Sequence, residues 1–150
     1  MAVRIRLVAI GPNGIPEERI DLPPLAALIA EETAGLYRGY PKPWVGYLSV
    51  EGETVVGSCA FKTPPIDGRV EIAYTTFPGH EGAGYATAMA RSLIAIAHHE
   101  HVAVIARTTP EANAATAILE KLHFRRARTI LDADDGTVWE WDLSPVPEPS

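Results

Sequence analysis

From Val3 to Ile10, aliphatic and charged residues alternate, with Val3, Ile5 and Leu7 on one side and Arg4 and Arg6 on the other. A period of two sends successive side chains to opposite faces of an extended chain, so this stretch predicts a first strand, stopped by Gly11-Pro12-Asn13-Gly14. After Pro23-Pro24 the residues from Leu25 to Ala34 are good helix formers, with Leu25, Leu28 and Ile29 spaced to form one buried face and Gly35 as the stop. Trp44 to Val50 and Thr54 to Lys62 are β-rich runs joined by Glu51-Gly52-Glu53, which predicts a hairpin, and Thr63 to Gly68 turns the chain into a further strand from Arg69 to Phe77.

At Gly84 the spacing becomes helical: Tyr85, Met89, Leu93 and Ile96/Ala97 recur on one side of an alanine-rich segment reaching about His99. Val102 to Ala106 is wholly apolar, as a strand covered on both faces is, and lies parallel to the Arg69–Phe77 strand across that helix. Thr108-Thr-Pro-Glu111 has the spacing of a capping box, and Ala115, Ile118, Leu119 and Leu122 make the stripe of a second helix. Phe124 to Leu131 and Thr137 to Leu143 close the chain as a hairpin. The order predicts an α/β fold with a mixed, mostly antiparallel sheet flanked by helices, one domain over residues 1–143, and a flexible Pro-rich tail over 144–150.

Composition narrows the classes. Hydrophobic residues make up 47% of the chain and charged residues 21%, as in a folded globular protein. No apolar run approaches the roughly 18 residues of a membrane span, and the charged N-terminal alternation is unlike a signal peptide, so a cytoplasmic protein with no membrane partner is expected. A net charge of −6 argues against nucleic acid as a partner and suits a cationic amine substrate. Cys59 is the single cysteine, flanked by strand-like residues, and is expected in the core. His98, His99 and His101 close a helix and diverge around its axis, so no metal site is expected. Trp139 and Trp141 share one side of the last strand, where they either cover the core or line an interface such as that of a homodimer.

The stretch most informative about chemistry runs from Glu71 to Thr87: a strand, a turn at Pro78-Gly79, then the small-residue loop Glu81-Gly82-Ala83-Gly84 opening into the long helix. The first N–H groups of a helix have no internal acceptor and its dipole adds positive charge there, so small residues that let a phosphate approach suit an anion site, their plain alternative being a tight turn. A dinucleotide fold is a poor match, because the third glycine of its fingerprint is Thr87 and the next strand leads into Arg107 instead of a ribose-binding acid.

The sequence Pro78-Gly-His-Glu81-Gly82-Ala83-Gly84-Tyr85-Ala86-Thr87 resembles the pyrophosphate loop of the GNAT superfamily of acetyl-CoA-dependent N-acetyltransferases, departing from it at Glu81, where that pattern has Arg or Gln. A second block, Pro110 to Phe124, is similar to the family's Asn-containing helix, with His123 where Gly is usual and Leu119 where many members have tyrosine. The resemblance spans roughly Pro43 to Leu143 and is nearest the branch of the ribosomal-protein-alanine acetyltransferases. It implies a pyrophosphate loop between strand 4 and the long helix, acetyl-CoA as co-substrate, and direct transfer in a ternary complex to a primary amine of a small molecule or a protein N-terminus.

The resemblance also implies roles. Backbone groups of Tyr74, Thr75 and Thr76 would pair with the pantetheine arm; Glu81, Gly82, Ala83, Gly84, Tyr85, Ala86 and Thr87 would hold the pyrophosphate; Asn113 would bond to the pantetheine or its phosphate end. Glu71 is the candidate base for the amine, its plain alternative being an ion pair on the strand. With Leu119 at the tyrosine position, water, Tyr85 or Tyr74 is left to protonate the thiolate, unless the thiolate leaves with no acid at all. Tyr47 and Tyr37 are substrate-side candidates with a core or rim alternative. Glu81 and Leu119 together also suit a second reading, a catalytically weak CoA-binding or interaction module on the same fold.

Overall fold

Seven strands form one sheet in the order β1-β2-β3-β4-β5-β7-β6, in a computed structural model that describes residues 3–36 and 40–144. β1 (Arg6–Ala9), β2 (Gly46–Glu51), β3 (Thr54–Phe61) and β4 (Arg69–Thr76) make an antiparallel meander. α2 (Tyr85–His99) then carries the chain to β5 (Ala103–Thr108), which is parallel to β4, as a strand reached through a helical crossover is. After α3 (Ala114–Lys121), the hairpin β6 (Arg125–Asp132) and β7 (Gly136–Leu143) returns antiparallel to β5. The predicted α/β class and the mixed, mostly antiparallel sheet are thus the observed ones, with α1 (Pro24–Leu36) as the remaining helix. Tyr37 and residues 145–150 of the expected tail lie outside the described residues.

Each face of the sheet carries a core. On one, Met89, Ala90, Leu93 and Ala97 of α2 and Leu119 of α3 pack on Cys59, Phe61, Val70, Ile72 and Val104. On the other, Ala26 and Ala30 of α1 lie on Val8, Leu48, Val50, Val55 and Phe77. Cys59 is buried as expected, and burial pushes its thiol pKa up. Tyr47 is also a core residue: it packs edge-on to Phe61, donates its hydroxyl to Pro43 O at 2.7 Å, and burial raises its pKa to about 12. Trp141 is buried on the α2 side and donates through Nε1 to Thr108 Oγ1, while Trp139 lies under the Arg126 guanidinium at 4.2 Å.

Three local expectations are corrected. α1 runs through Gly35 to Leu36 and buries its alanine stripe, Ala26, Ala30 and Ala34, leaving Leu25 and Leu28 40% and 52% exposed. The sheet supplies the bulk beneath α1, so the helix approaches closely through small residues and the leucine stripe turns outward. α3 begins at Ala114, not near Pro110, because Asn113 and Thr116 form the capping box that Thr108 and Glu111 were expected to form; Ala115 is exposed. β5 runs on to Thr108 and has one buried face, Val104 and Ala106, not two. Among the described residues no helix is long and apolar enough to cross a membrane.

The orientation of α1 is testable by substitution. Ala30→Leu should destabilise the fold by about 1–3 kcal/mol through overpacking, whereas Leu28→Ser should change stability by less than about 0.5 kcal/mol. Urea unfolding of both variants checks the pair, and the reverse ranking would place the leucines inward.

Candidate active site

β4 and β5 run together only for Arg69–Glu71 against Ala103–Ile105; beyond that β5 pairs with β7 alone. Lys62 N–H donates to Glu71 O and Phe77 N–H to Val56 O, so the backbone groups of Glu71, Ala73, Thr75 and Phe77 face β3. By strand alternation, those of Ile72, Tyr74 and Thr76 point the other way: the Ile72 N–H still serves the ladder with Ile105, while the Ile72 C=O, Tyr74 and Thr76 face the space that β5 has left. Of the three residues expected to offer backbone groups, Tyr74 and Thr76 do so at this open edge. Thr75 does not, since its groups are turned to β3.

The chain leaves β4 through Phe77, whose C=O accepts from His80 N–H, and rises through an exposed loop to α2. Gly82 and Gly84 have φ of +77° and +91°, a left-handed backbone that other residues adopt at a cost, and Gly84 caps the helix with no side-chain acceptor. A Cβ on Gly84 would also come within 3.1 Å of Val3 Cγ2. The first backbone bond of the helix is Ala88 N–H to Gly84 O, and among the described residues the N–H groups of Glu81 to Thr87 have no acceptor. Glu81, Gly82, Ala83 and Gly84 are exposed; Tyr85, Ala86 and Thr87 are half-buried.

Two expected site residues have structural work. Asn113 Oδ1 accepts from Thr116 N–H at 3.1 Å, its own N–H donates to Thr116 Oγ1 at 2.9 Å, and Nδ2 donates to Thr109 Oγ1 at 3.2 Å. Tyr85 donates its hydroxyl to Glu51 Oε1 at 2.5 Å, and this bond to a carboxylate, more than burial, raises the phenol pKa. Tyr74 is raised by burial. Leu119 is wholly buried in the α2-side core.

On the α1 side of the sheet, Glu71, Ala73 and Thr75 project from β4. A cleft of about 140 Å³ lies there between Thr33 and Leu36 of α1, Ser58 and Ala60 of β3, and Ala73 and Thr75. Beside it, Glu71, 15% exposed, is held by Lys62 Nζ at 2.7 Å and Arg107 Nε at 3.8 Å. Arg107 reaches on to Asp132 at 3.3 Å and Glu140 at 3.5 Å, and Glu140 takes Arg128 Nε at 2.7 Å. Glu140 is 1% exposed, and its Oε1 has no hydrogen-bond donor. A buried carboxylate is tolerated only beside opposite charge, so Arg107 is fixed among three acids.

A family model described as the acetyltransferase (GNAT) domain matches residues 19–125, a span that takes in the open β4 edge, the glycine loop and Asn113. The chain belongs to the GNAT family. Among solved structures, this GNAT domain is similar to RimL, the ribosomal L7/L12 alpha-N-protein acetyltransferase, in its apo form, with 17% identity, a TM-score of 0.70, and coverage of 96% of this chain and 95% of that one. It is similar to Ard1 from Thermoplasma volcanium, with 13% identity, a TM-score of 0.69, and coverage of 97% and 100%. It is similar as well to yncA from Salmonella typhimurium, solved with its cofactor acetyl-CoA, with 19% identity, a TM-score of 0.60, and coverage of 83% and 74%. At these identities the likeness is one of fold. No curated protein sequence matches it.

The GNAT fold therefore brings Tyr74, Thr76 and the Glu81–Thr87 loop to one end of the sheet, sets Glu71 on the α1 side where β4 and β5 part, and leaves Asn113 as a helix cap. Sequence analysis missed Lys62, Arg107 and Glu140. The Trp-Glu-Trp alternation of residues 139–141 held the signal for Glu140, since it puts the carboxylate on the face opposite the tryptophans.

The acid end of this network has a testable pH dependence. Backbone N–H groups of Asp134 and Asp135 donate to Asp132 Oδ1 at 2.8 and 3.0 Å and lower its pKa from the ordinary 3.8, with Arg107 adding a smaller pull. A carboxylate with a depressed folded pKa contributes stability that is present above its unfolded pKa and is lost as pH falls through the folded value. The urea midpoint should drop below about pH 4, and Asp132→Asn, which keeps the acceptor but not the charge, should flatten that drop. The ion pair that lowers Glu18 leaves a residual slope of the same sign. An unchanged acid slope in the variant would remove Asp132 from the account.

Proposed function

We propose that this GNAT domain is an acetyl-CoA-dependent N-acetyltransferase that acts on a primary amine in a ternary complex. The observation that carries the reading is the run of N–H groups without acceptors from Glu81 to Thr87, next to the open edge of β4. A pyrophosphate and an extended amide-bearing arm are the ligands that such a helix start and such an edge take together. The structure of yncA with acetyl-CoA supports this choice of donor. When bound, acetyl-CoA supplies an acetyl group activated as a thioester.

The chain's own residues divide the remaining work. The loop holds the phosphates through backbone donors, which is why the side chain at position 81 departs from the family pattern without removing the site. Tyr74 and Thr76 offer N–H and C=O groups along the open edge, and Ile72 its C=O, since the ladder with Ile105 takes the Ile72 N–H. The acceptor enters on the α1 side, in the cleft lined by Thr33, Ala73 and Thr75, where small neutral side chains leave room for an aminomethyl group or a chain N-terminus. Glu71 is the base: an amine attacks only as the neutral species, and this carboxylate stands beside the cleft where β4 and β5 part. Lys62 and Arg107 hold it in place. With Leu119 at the tyrosine position and the Tyr85 hydroxyl donated to Glu51, water is the proton donor we assign to the thiolate.

The same two ion pairs favour one other reading. They give Glu71 a purely structural use as an ion-pair partner on the strand, and a domain that binds CoA without turning over would look the same. Calorimetric titration with acetyl-CoA followed by a thiol-release assay on an amine panel separates the two: saturable binding with release supports the enzyme, binding alone supports the module, and absence of binding overturns both.

Two variants sharpen this. Glu81→Gln removes a negative charge from the helix start and should tighten acetyl-CoA by about two- to fivefold at low salt, with the gain shrinking as salt rises. Glu71→Gln should leave that affinity unchanged and lower turnover by about 10²–10⁴ near neutral pH. The deficit narrows at high pH, where more of the amine is already neutral. An equal deficit at all pH values would make Glu71 a structural ion-pair partner.

A further inference from the structure

A second cavity, of about 790 Å³, lies among the C-terminal half of α2, the end of α3, the start of β6 and the end of β7. The loop and Asn113 are at the N-terminal ends of the same two helices, so this cavity is not part of the site described above. Its apolar lining comes from Ile94, Ala95, Leu122 and Leu143. Around them stand Arg91, Lys121 and Arg125 with His98 and His123, opposed by Asp142 alone. Asp142 is already paired with Arg125 at 3.7 Å, while Arg91 and Lys121 have no ion-pair partner among the described residues. In a chain of net charge −6, such a local excess of cations around an apolar floor is a feature of the site and not of the composition.

Two further observations point the same way. His123 has φ of +70°, a left-handed conformation that glycine adopts freely and that follows a helix end, where glycine is the favoured residue. The side chain lines the cavity. His98, also on the wall, has a buried Nε2 with no hydrogen-bond partner. That atom is sealed from the cavity in this ring orientation, and a turn of the ring would bring it to the wall.

We propose that this cavity is a binding site for a small molecule with an apolar body and a carboxylate, of the medium-chain fatty-acid class. The carboxylate is held by Arg91, Lys121 and His123, and the hydrocarbon lies on Ile94, Leu122 and Leu143. The charge pattern selects an anion, and the apolar floor selects a tail over a bare ion. The same chemistry is offered by a free carboxylic acid and by a carboxylate on a larger apolar molecule, and the chain-length series below distinguishes them.

The test is a titration of the whole protein with octanoate and, separately, with 1-octanol, followed by calorimetry and by the ring signals of His98 and His123 in NMR spectra. Octanoate should bind saturably, move both sets of signals, and bind about tenfold tighter than octanol, the size of one charge-assisted hydrogen bond. Arg91→Gln with Lys121→Gln should remove that advantage and leave octanol binding unchanged. His123→Gly should raise the melting temperature, because it relieves the left-handed strain, yet weaken octanoate several-fold. Affinity rising from butanoate to octanoate and then levelling identifies a free medium-chain acid; affinity still rising at dodecanoate identifies a larger apolar ligand. Equal binding of octanol and octanoate, or octanoate binding untouched in both variants, would overturn the proposal, as would the lack of saturable binding by a protein that still binds acetyl-CoA.

Discussion

A strand that leaves its neighbour half-way along exposes N–H and C=O groups in the middle of a sheet, where backbone groups are otherwise paired. In this protein β4 does so after Glu71, and the rest of the molecule is arranged around that parting. β5 keeps β7 on its other side through Thr108, so it holds its place in the sheet while the edge of β4 that it has left stays open. The loop after β4 then delivers α2 with its first N–H groups unfilled at the same end. An open edge and an open helix start are each costly to leave unmet; placed together, they offer hydrogen bonds to one extended anionic ligand.

The same parting separates two chemical environments. The α2 side of β4 is apolar and closely packed: Gly57 has no room for a side chain, since a Cβ there would meet Thr75 O at 2.5 Å and Met89 Cε at 2.9 Å. The α1 side carries a chain of charges from Lys62 through Glu71 and Arg107 to Glu140 and Arg128. Arg107 anchors the chain, since it alone touches acids from three strands. The buried Glu140 fixes Arg107 more than it stabilises the fold, because an ion pair taken out of water returns little of its desolvation cost. The consequence is orientation: Glu71 is held at a defined place beside the small α1-side cleft.

Much of the secondary structure was legible because period alone sets it. The alternation of β1, the helical spacing from Tyr85 to His99, the two hairpins and the parallel return of β5 all follow from local pattern and connection length. The glycine loop was legible too, as a run of small residues opening into a helix whose spacing, with that of the second block, resembles the GNAT pattern. Errors came where two local solutions competed. α1 has an alanine stripe and a leucine stripe, and Asn113 and Thr108 are both able to cap α3.

The sequence by itself determined the class of fold, the crossover through α2, the small-residue character of the loop before it and the absence of a tyrosine at position 119. Only the tertiary structure decided which stripe of α1 faces inward, because that depends on the bulk the sheet already provides beneath it. It decided that Tyr74 and Thr76, and not Thr75, face the open edge, because that parity is set by pairing with β3. It also brought Lys62, Arg107 and Glu140 to Glu71, which lies 69 positions from Glu140 in the chain (140 minus 71). Local pattern tells which face of a strand a charge takes, but its partner is chosen by strand order and register, and those are properties of the whole sheet.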